Sequence, residues 1–346
     1  MPLVHFKPLF DRYAGVFRPS AIAPVGGSGL SGAEIFRVTA PLGTFALRCW
    51  PAEYPAADQL RTIHRALARA RDNGCAFVPV PVEALSGDTI VEFADRRWQL
   101  EPWMPGLPDL SPAPSTERME AAFAALAVFH SAVAGDALHD RSYGRSSGLF
   151  ERIRLLEGCL RGDVHRVRTA FNNEYLAEWD DRVRAYFRLF ERGAPAVYDL
   201  LQLAAAREVR LQPVIRDVHR EHVLFTDDEV TGLVDFGAMS VDHVAVDLAR
   251  LLGSYEVDEP ELRRELIQHY DPGFGDDEHL LIDAFDRSGA LLSPFRWLWW
   301  LFVERRTFRD LAAVGRRFDV LLQRLTRLVD GPSAGPRTAR GDSPLF

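Results

Sequence analysis

Residues 211–237 read LQPVIRDVHREHVLFTDDEVTGLVDFG, and this stretch decides the fold of the chain. Two short apolar runs, at 223–225 and 230–234, are rich in β-branched residues and are separated by an acidic turn. Short apolar runs bounded by Asp and Gly are typical of strands joined by a hairpin. The stretch therefore predicts strand, tight loop, strand, turn, strand and loop, with its polar residues in the loops at 217–222 and at Asp235.

Two carboxylates, Asp217 and Asp235, lie in these neighbouring loops, and a hairpin can bring them together. Phosphoryl transfer from a nucleotide uses such a pair: one acid orients the attacking hydroxyl group, and the other holds the metal ion that bridges the phosphates. Asp235 begins the triplet D-F-G, which performs the second role in protein kinases. The triplet alone is a weak signal, but D-x-H-x-x-H followed by strand, turn, strand and D-F-G is much more specific. A hairpin with solvated turn acids is the alternative interpretation.

The composition is that of a globular protein, with 346 residues, 47% hydrophobic and 26% charged. This length predicts about two domains. A net charge of −8 argues against a nucleic-acid partner. The apolar run at 291–303 contains Arg296 and is too short to span a bilayer, so no membrane partner is expected. Three scattered cysteines without C-x-x-C, and a start without an apolar signal core, predict reduced thiols in a cytoplasmic protein: Cys49, Cys75 and Cys159. The sequence does not indicate an oligomeric state.

A glycine-rich segment follows the first predicted strand, with G-x-G-x-x-G at Gly27, Gly29 and Gly32. In a dinucleotide-binding unit this motif opens a helix. In a kinase-like lobe it is the turn of a hairpin that covers the nucleotide phosphates. The segments 34–39 and 45–50 alternate and are joined by a turn, so strand–turn–strand is predicted and the dinucleotide-binding interpretation fails. A flexible glycine turn is the alternative.

Arg48 lies in the second strand of that hairpin, where a kinase-like lobe carries its phosphate-contacting lysine. Lys7 is the only lysine in the chain, so an arginine must take this role. A guanidinium can contact phosphate through two N–H groups, although it is not equivalent to an ammonium. The next helix, predicted over 56–72, contains no Glu that could pair with Arg48. An ordinary exposed strand residue is the alternative.

Further elements are predicted beyond this helix. Strand-like segments lie at 80–85, 89–93 and 97–102, and helices at 116–134, 150–160, 172–192 and 195–207. The composition break EPWMPG at 101–106 indicates a hinge between a small β-rich lobe and a helical lobe, where backbone groups could bind an adenine ring; a plain proline linker is the alternative. The Pro/Gly/Ser-rich residues 331–346 are predicted to be disordered.

Asp247 lies among apolar residues of another predicted helix. A carboxylate on an apolar face needs hydrogen-bond donors, such as backbone N–H groups of the central loop. A surface pair with Arg250 is the alternative.

Taken in order, these motifs resemble those of the aminoglycoside phosphotransferase and choline kinase superfamily, and most nearly its homoserine-kinase-like members. The resemblance covers about residues 20–330. It is most specific at 217–225, DVHREHVLF, which is similar to the family's HGD-x-H-x-x-N-V-L-F, and it continues in VDFG, in Asp247-Leu248-Ala249 and in the helix segment LAVFH.

The resemblance implies an α+β, bilobal protein-kinase-like fold, with a small antiparallel-sheet N-lobe and a larger helical C-lobe. The implied division is N-lobe 1–101, hinge 102–106, helical C-lobe 107–330 and tail 331–346. The implied activity is ATP-dependent phosphoryl transfer to a hydroxyl group of a small molecule, a metabolite or an aminoglycoside-like compound, with Mg²⁺ or Mn²⁺.

Carried over residue by residue, the resemblance implies a role for each matching position. Asp217 would be the catalytic acid facing the substrate hydroxyl, and Asp235 and His222 would bind the metal ion. The remaining roles are phosphate cover by Gly27, Gly29 and Gly32, phosphate contact by Arg48, adenine binding by the backbone from Pro102 to Met104, and structural support by Asp247.

Three departures from the family pattern matter. The family's His-Gly before the catalytic Asp is Ile215-Arg216 here, its metal-binding Asn is His222, and its helix Glu is not identified. Mg²⁺ prefers oxygen ligands, whereas imidazole suits Mn²⁺, Zn²⁺ or Fe better. A non-catalytic pseudokinase that binds a nucleotide or a partner is therefore the alternative function. A metal-dependent hydrolase using Asp217, His219 and His222 lacks the helix and spacing of the known zinc motifs.

Overall fold

The computed structural model describes residues 3–25, 33–52, 55–134, 143–174, 176–308 and 310–330. The predicted phosphate-covering residues Gly27, Gly29 and Gly32 and the tail 331–346 lie outside the described residues. The described chain forms two compact units. The first comprises the described residues up to Arg154 together with Leu200–Gly289, and the second comprises Leu155–Asp199 and the described residues from Ala290 onward.

An antiparallel sheet of five strands forms the N-terminal part of the first unit. The elements, in chain order, are α1 (Lys7–Phe10), β1 (Ala21–Pro24), β2 (Glu34–Ala40), β3 (Gly43–Trp50), α2 (Ala57–Asp72), β4 (Val91–Phe93) and β5 (Arg96–Pro102). The strand order is β1-β2-β3-β5-β4. The β2–β3 pair confirms the strand–turn–strand prediction for the segments after the glycine-rich motif.

The two faces of this sheet differ because successive side chains of a strand point to opposite sides. Val38, Leu47 and Leu100 are fully buried in a core that also contains Leu9 of α1. Arg48 lies opposite Gln99 in the β3–β5 ladder, and Glu101 is two residues further along β5, on the same face as Arg48. This register brings the side chains of Arg48, Gln99 and Glu101 together on one face of the sheet, near the end of β5.

The rest of the described chain is mainly helical. Its strands are β6 (Leu107–Pro108), β7 (Tyr143–Gly144), β8 (Val209–Arg210), β9 (Gln212–Val214), β10 (Val223–Thr226), β11 (Glu229–Leu233) and β12 (Ser240–Asp242). Its helices are α3 (Thr116–Val133), α4 (Ser147–Gly158), α5 (Val164–Asn173), α6 (Asp180–Ala205), α7 (Ala245–Ser254), α8 (Pro260–Tyr270), α9 (Asp276–Leu298) and α10 (Leu311–Asp330). The predicted α+β class, with an antiparallel sheet first and helices after it, is confirmed.

The central stretch folds as predicted. Strands β10 and β11 form an antiparallel hairpin with an irregularity between Leu224 and Phe225, and β6 extends it to three strands. Strand β9 precedes the hairpin and pairs with β12. A 3₁₀ turn over Arg220–His222 leads directly into β10. The loop that carries Asp217 is therefore held between two strand pairs.

Three predicted elements differ from the structure. The segment 80–85 is not a strand, because Pro79 and Pro81 lack the N–H groups that a strand ladder needs. Its contact with β5 is the hydrogen bond from the N–H of Val82 to the carbonyl of Leu100. The predicted helices 172–192 and 195–207 are α6, one helix that begins only at Asp180 and continues through Pro195. Pro195 has no N–H to donate within the helix, but the burial of a continuous apolar stripe on both sides of it outweighs this loss. The stripe includes Phe190, Ala194 and Val197.

No helix among the described residues combines the length and the apolar character that crossing a membrane requires. All three cysteines lie within the described ranges, and Cys49, Cys75 and Cys159 are buried free thiols. Burial raises the pKa of each of these thiols. They are therefore packing residues of low reactivity.

Candidate active site

His222 connects the loop of Asp217 to the loop of Asp235. The backbone N–H of Val234 donates to the carbonyl of His222 at 2.9 Å, which holds the two loops side by side. The Nδ1 atom of His222 lies 2.9 Å from the backbone carbonyl oxygen of Asp217. Its Nε2 atom lies 3.7 Å from Oδ2 of Asp235. The structure thus brings the predicted catalytic and metal-binding residues into one cluster.

One oxygen of the Asp217 carboxylate carries its side-chain contacts. Nε2 of His219 lies 3.1 Å from Oδ1 of Asp217, and the guanidinium of Arg250 donates to the same oxygen. Nη2 of Arg250 is also 2.7 Å from Nε2 of His219. The carboxylate is 48% exposed. Within the described residues, Oδ2 of Asp217 is left open to a substrate.

The charges around Asp217 favour its ionised form. Packing around the carboxylate opposes ionisation, but the contacts with His219 and the positive charge of Arg250 outweigh it and hold the pKa of Asp217 well below its usual range. Packing, together with the charge of Arg250, lowers the pKa of His219 despite its contact with Asp217. The site therefore holds a carboxylate next to a neutral imidazole at physiological pH.

Asp247 lies beneath the loop that carries Asp217 and is fully buried. Its two carboxylate oxygens accept hydrogen bonds from the backbone N–H groups of Ile215 at 2.7 Å and Arg216 at 2.6 Å. Nε2 of His130, on α3, lies 2.9 Å from the same carboxylate. Arg250, the alternative partner of Asp247 in the sequence, instead contacts Asp217. Asp247 thus fixes the backbone that leads into Asp217.

Two residues of these loops have left-handed backbone conformations. Arg216 and Asp235 both have φ of +67°. Asp tolerates this region, whereas an arginine there is strained. The side chain of Arg216 is held by an ion pair with Glu151 of α4 and by a hydrogen bond to Ser240 at 3.3 Å. Arg216 occupies the position of a family glycine, and its positive φ shows why glycine suits that position.

Arg48 contacts two acids and an aromatic ring from the polar face of the sheet. Its Nη1 lies 3.3 Å from Oδ1 of Asp235, and its Nη2 lies 3.5 Å from Oε1 of Glu101. Its guanidinium also lies 5.0 Å from the centre of the Trp50 ring. The side chain is buried, with only 8% of its surface exposed. This geometry excludes the alternative of an ordinary exposed strand residue.

Glu101, which the sequence analysis missed, takes the place of the expected helix Glu. Nε2 of Gln99 donates to Oε2 of Glu101 at 2.5 Å, while Oε1 of Gln99 accepts from Trp50 at 2.7 Å. Nε2 of His64, on α2, lies 3.1 Å from Oε1 of Gln99. Burial lowers the pKa of His64 to about 4, so this residue is neutral. The helix therefore reaches Arg48 only indirectly, through His64 and Gln99.

The hinge predicted at 102–106 follows β5 directly. Pro102 ends β5 opposite Phe45 of β3, and Met104 is buried. Gly106 has φ of +91°, and a Cβ atom there would lie 2.6 Å from the carbonyl oxygen of Phe225. A glycine is therefore required where the chain passes the β10–β11 hairpin. A small pocket next to this segment is lined by Arg48, Trp50, Glu101 and Asp235, among others.

The described residues contain no group of three or more His, Cys, Asp or Glu side chains arranged to hold a metal ion. His219 faces Asp217 and Arg250, whereas His222 turns toward Asp235. A cation at Asp235 and His222 would need its remaining ligands from a phosphate group and water. The pair fits the metal of a nucleotide complex better than a closed structural site.

Comparisons with known proteins show the family of the chain and likeness of fold. The profile described as "Phosphotransferase enzyme family" matches residues 22–281. No curated protein matches the chain. Many solved structures share its fold at low sequence identity, which shows likeness of fold alone, and three of them are described next.

The first of these structures is spectinomycin phosphotransferase APH(9)-Ia in complex with ADP and spectinomycin, with 10% identity, 93% of this chain and 96% of that chain covered, and a TM-score of 0.64. A microcompartment-associated aminopropanol kinase has 15% identity, coverage of 95% and 98%, and a TM-score of 0.65. The amicoumacin kinase hAmiN, in complex with AMP-PNP, Ca²⁺ and Ami, has 14% identity, coverage of 94% and 92%, and a TM-score of 0.63.

Proposed function

Because the chain belongs to the phosphotransferase enzyme family, we propose that it transfers the terminal phosphoryl group of ATP to a hydroxyl group of a small molecule. The observation that carries this proposal is the cluster formed by Asp217, His222, Asp235 and Arg48. In this cluster His222 joins the loop of Asp217 to Asp235, and Asp235 contacts Arg48; an acid for the acceptor hydroxyl, a metal-binding acid and a cation for the phosphates are the parts that phosphoryl transfer uses.

On the nucleotide side, each residue has a proposed role. The guanidinium of Arg48 contacts the phosphates, and Asp235 with His222 holds a divalent cation, Mg²⁺ or Mn²⁺. Such a cation neutralises charge that develops on the phosphate oxygens. The glycine-rich loop covers the phosphates with Gly27, Gly29 and Gly32, and the backbone from Pro102 to Met104 binds adenine. In this scheme residues 1–101 form the nucleotide lobe and 107–330 the helical lobe.

On the acceptor side, Oδ2 of Asp217 accepts a hydrogen bond from the substrate hydroxyl. The hydroxyl oxygen forms a bond to the terminal phosphorus, the bond from that phosphorus to the bridging oxygen breaks, and ADP leaves. The lowered pKa makes Asp217 a weak base, so it orients the hydroxyl and takes up its proton late, when the new bond has formed. The proton then passes to solvent.

The acceptor is a small hydroxylated molecule, either a metabolite or an aminoglycoside-like compound. No nucleic acid or membrane is part of the proposed reaction. We place the reaction in the cytoplasm, where ATP is supplied.

Calorimetric titration of ATP in the presence of Mg²⁺ or Mn²⁺ tests the nucleotide half of this proposal. Wild-type protein should bind ATP in a metal-dependent way, and Asp235→Ala should lose that dependence. Exposed Asp310→Ala in the second unit is the matched control and should bind as wild type does. Absence of any nucleotide binding by folded wild-type protein would overturn the proposal.

A nucleotide-binding protein without turnover is the second candidate. It is favoured by one observation: arginine side chains contact both key carboxylates, Arg250 at Asp217 and Arg48 at Asp235. This alternative predicts nucleotide binding without phosphoryl transfer to any acceptor in a screen of hydroxylated metabolites and aminoglycosides. Transfer that Asp217→Asn abolishes, while nucleotide affinity is kept, would exclude it.

A further inference from the structure

The residue that replaces the family asparagine presents a nitrogen lone pair to the metal carboxylate. We propose that His222 and Asp235 form a mixed nitrogen–oxygen ligand pair that selects Mn²⁺ over Mg²⁺ in the nucleotide complex, an inference that rests on the proposed function. The imidazole is then a specificity-determining ligand of the cation.

The hydrogen bonds of His222 fix its tautomer. Nδ1 lies 2.9 Å from the backbone carbonyl oxygen of Asp217, and a carbonyl oxygen can only accept. Nδ1 therefore carries a proton, and Nε2 is the ring nitrogen that can supply a lone pair to a cation. A metal-binding histidine is oriented in the same general way, with its other nitrogen donating to a carbonyl or a carboxylate.

The position of Nε2 suits shared coordination with Asp235. The 3.7 Å from Nε2 to Oδ2 of Asp235 is too long for a hydrogen bond. Two metal–ligand bonds of about 2.1 Å each can span it. The other oxygen of Asp235 faces Arg48 at 3.3 Å, so one oxygen remains for the cation. The protein thus offers the cation one carboxylate oxygen and one imidazole nitrogen.

The backbone on both sides of His222 holds this arrangement in place. His222 ends the 3₁₀ turn, its N–H donates to the carbonyl of His219 at 2.8 Å, and its carbonyl accepts from Val234 at 2.9 Å. The side chain is 17% exposed, so the ring is anchored yet reachable. A fixed nitrogen ligand cannot turn away to let water complete an all-oxygen shell.

The ligand set decides the metal. Mg²⁺ demands oxygen ligands in near-ideal octahedral geometry, and it loses one protein oxygen when an imidazole replaces an amide. Mn²⁺ accepts carboxylate, phosphate and water oxygens, and it begins the series of first-row ions that bind nitrogen donors with increasing affinity. The same phosphates with the pair His222 and Asp235 should therefore bind Mn²⁺ more tightly.

The test compares wild-type protein with His222→Asn and with the control His279→Asn, whose side chain is exposed at the start of α9. Titration with AMP-PNP in Mn²⁺ or Mg²⁺ should give a higher wild-type affinity with Mn²⁺ than with Mg²⁺. His222→Asn should remove this preference, and His279→Asn should keep it. Electron spin-echo modulation of the bound Mn²⁺ should show coupling to ¹⁴N in wild type that disappears in His222→Asn.

Equal affinities with both metals, together with a Mn²⁺ signal that lacks imidazole ¹⁴N coupling, would overturn the inference while the proposed function stands. Failure of wild type to bind AMP-PNP with either metal would instead overturn the proposed function. If His222→Asn does not fold, the spin-echo signal of the wild-type complex decides alone. A ¹⁴N coupling that persists in folded His222→Asn assigns the nitrogen to another residue and also overturns the inference.

Discussion

The pair formed by Arg48 and Glu101 predicts an asymmetry between two single substitutions. Arg48→Met preserves side-chain bulk but leaves the buried carboxylate of Glu101 without its cation. Glu101→Gln keeps the shape and the contact with Gln99, and Arg48 retains Asp235 as an anionic partner at 3.3 Å. The first change should therefore destabilise the fold far more than the second.

The size of the asymmetry follows from the geometry. Nη2 of Arg48 lies 3.5 Å from Oε1 of Glu101, which corresponds to an attraction of about 5 kcal/mol at an effective dielectric constant of about 20. Loss of one partner of a buried pair costs about 3–5 kcal/mol. Burial raises the pKa of Glu101 in spite of Arg48 and Gln99, so the loss of hydration destabilises the charged carboxylate more than these two contacts stabilise it. Removing its charge in Glu101→Gln should cost about 1 kcal/mol or less.

Chemical denaturation of wild type, both single variants and the double variant measures these free energies. Exposed Glu92→Gln on β4 is the control. In Arg48→Met the folded-state pKa of Glu101 rises further above its unfolded value of about 4.3. The folded state then binds more protons, so stability should recover as the pH falls from 7 toward 5. The double variant Arg48→Met/Glu101→Gln should recover, at pH 7, most of the free energy of unfolding that Arg48→Met loses. Equal losses in the two single variants, or a loss in Arg48→Met that does not change with pH, would refute this reasoning.

Four further predictions concern Asp217, Arg250, His64 of α2 and Gly106. Asp217→Asn should lower the rate of phosphoryl transfer at least about 100-fold while calorimetry shows unchanged nucleotide affinity. Arg250→Met should raise the pKa of Asp217 and shift the acid limb of the pH–rate profile toward higher pH. An unshifted acid limb would show that Arg250 does not lower the pKa of Asp217. The pKa of His64 is about 4 in the folded state and about 6.5 when unfolded, so the unfolded state binds more protons between these values and stability should fall as the pH drops through this window. His64→Gln should abolish that part of the loss, about 2 kcal/mol, in denaturation series at pH 7 and pH 4.5. Gly106→Ala should lower the melting temperature because its Cβ would meet the carbonyl of Phe225, and an unchanged melting temperature would contradict the clash.

Local sequence signals were sufficient for the elements that present the site. The β10–β11 hairpin, the β2–β3 pair and α2 follow from alternation, helical spacing and turn residues, each of which acts within a few positions. The motif around Asp217 could be placed in a loop for the same reason. These elements form where the local pattern and the tertiary structure agree.

The partners across the site could not be predicted, because they depend on register and on contacts far apart in the chain. Glu101 becomes the partner of Arg48 only when β3 and β5 pair with Arg48 opposite Gln99, and a shift of one residue would turn Glu101 to the other face. The alternating polar residues 97, 99 and 101 were the signal available. Arg250 reaches Asp217 from the next helix, across 33 positions.

The residues that depart from the family pattern are in contact with one another, as a working nucleotide site of the proposed kind would need. Glu101, Arg48, Asp235 and His222 form a chain in which each acid lies beside a base. The planar fork of an arginine can contact two acids at once, which suits a site whose Glu comes from the sheet instead of the helix. A site that had lost its role would gain nothing from holding a costly buried carboxylate beside Arg48, since apolar residues of similar volume are often at least as stable. Glu101 helps to hold Arg48 beside Asp235, which is the position proposed for its contact with the phosphates.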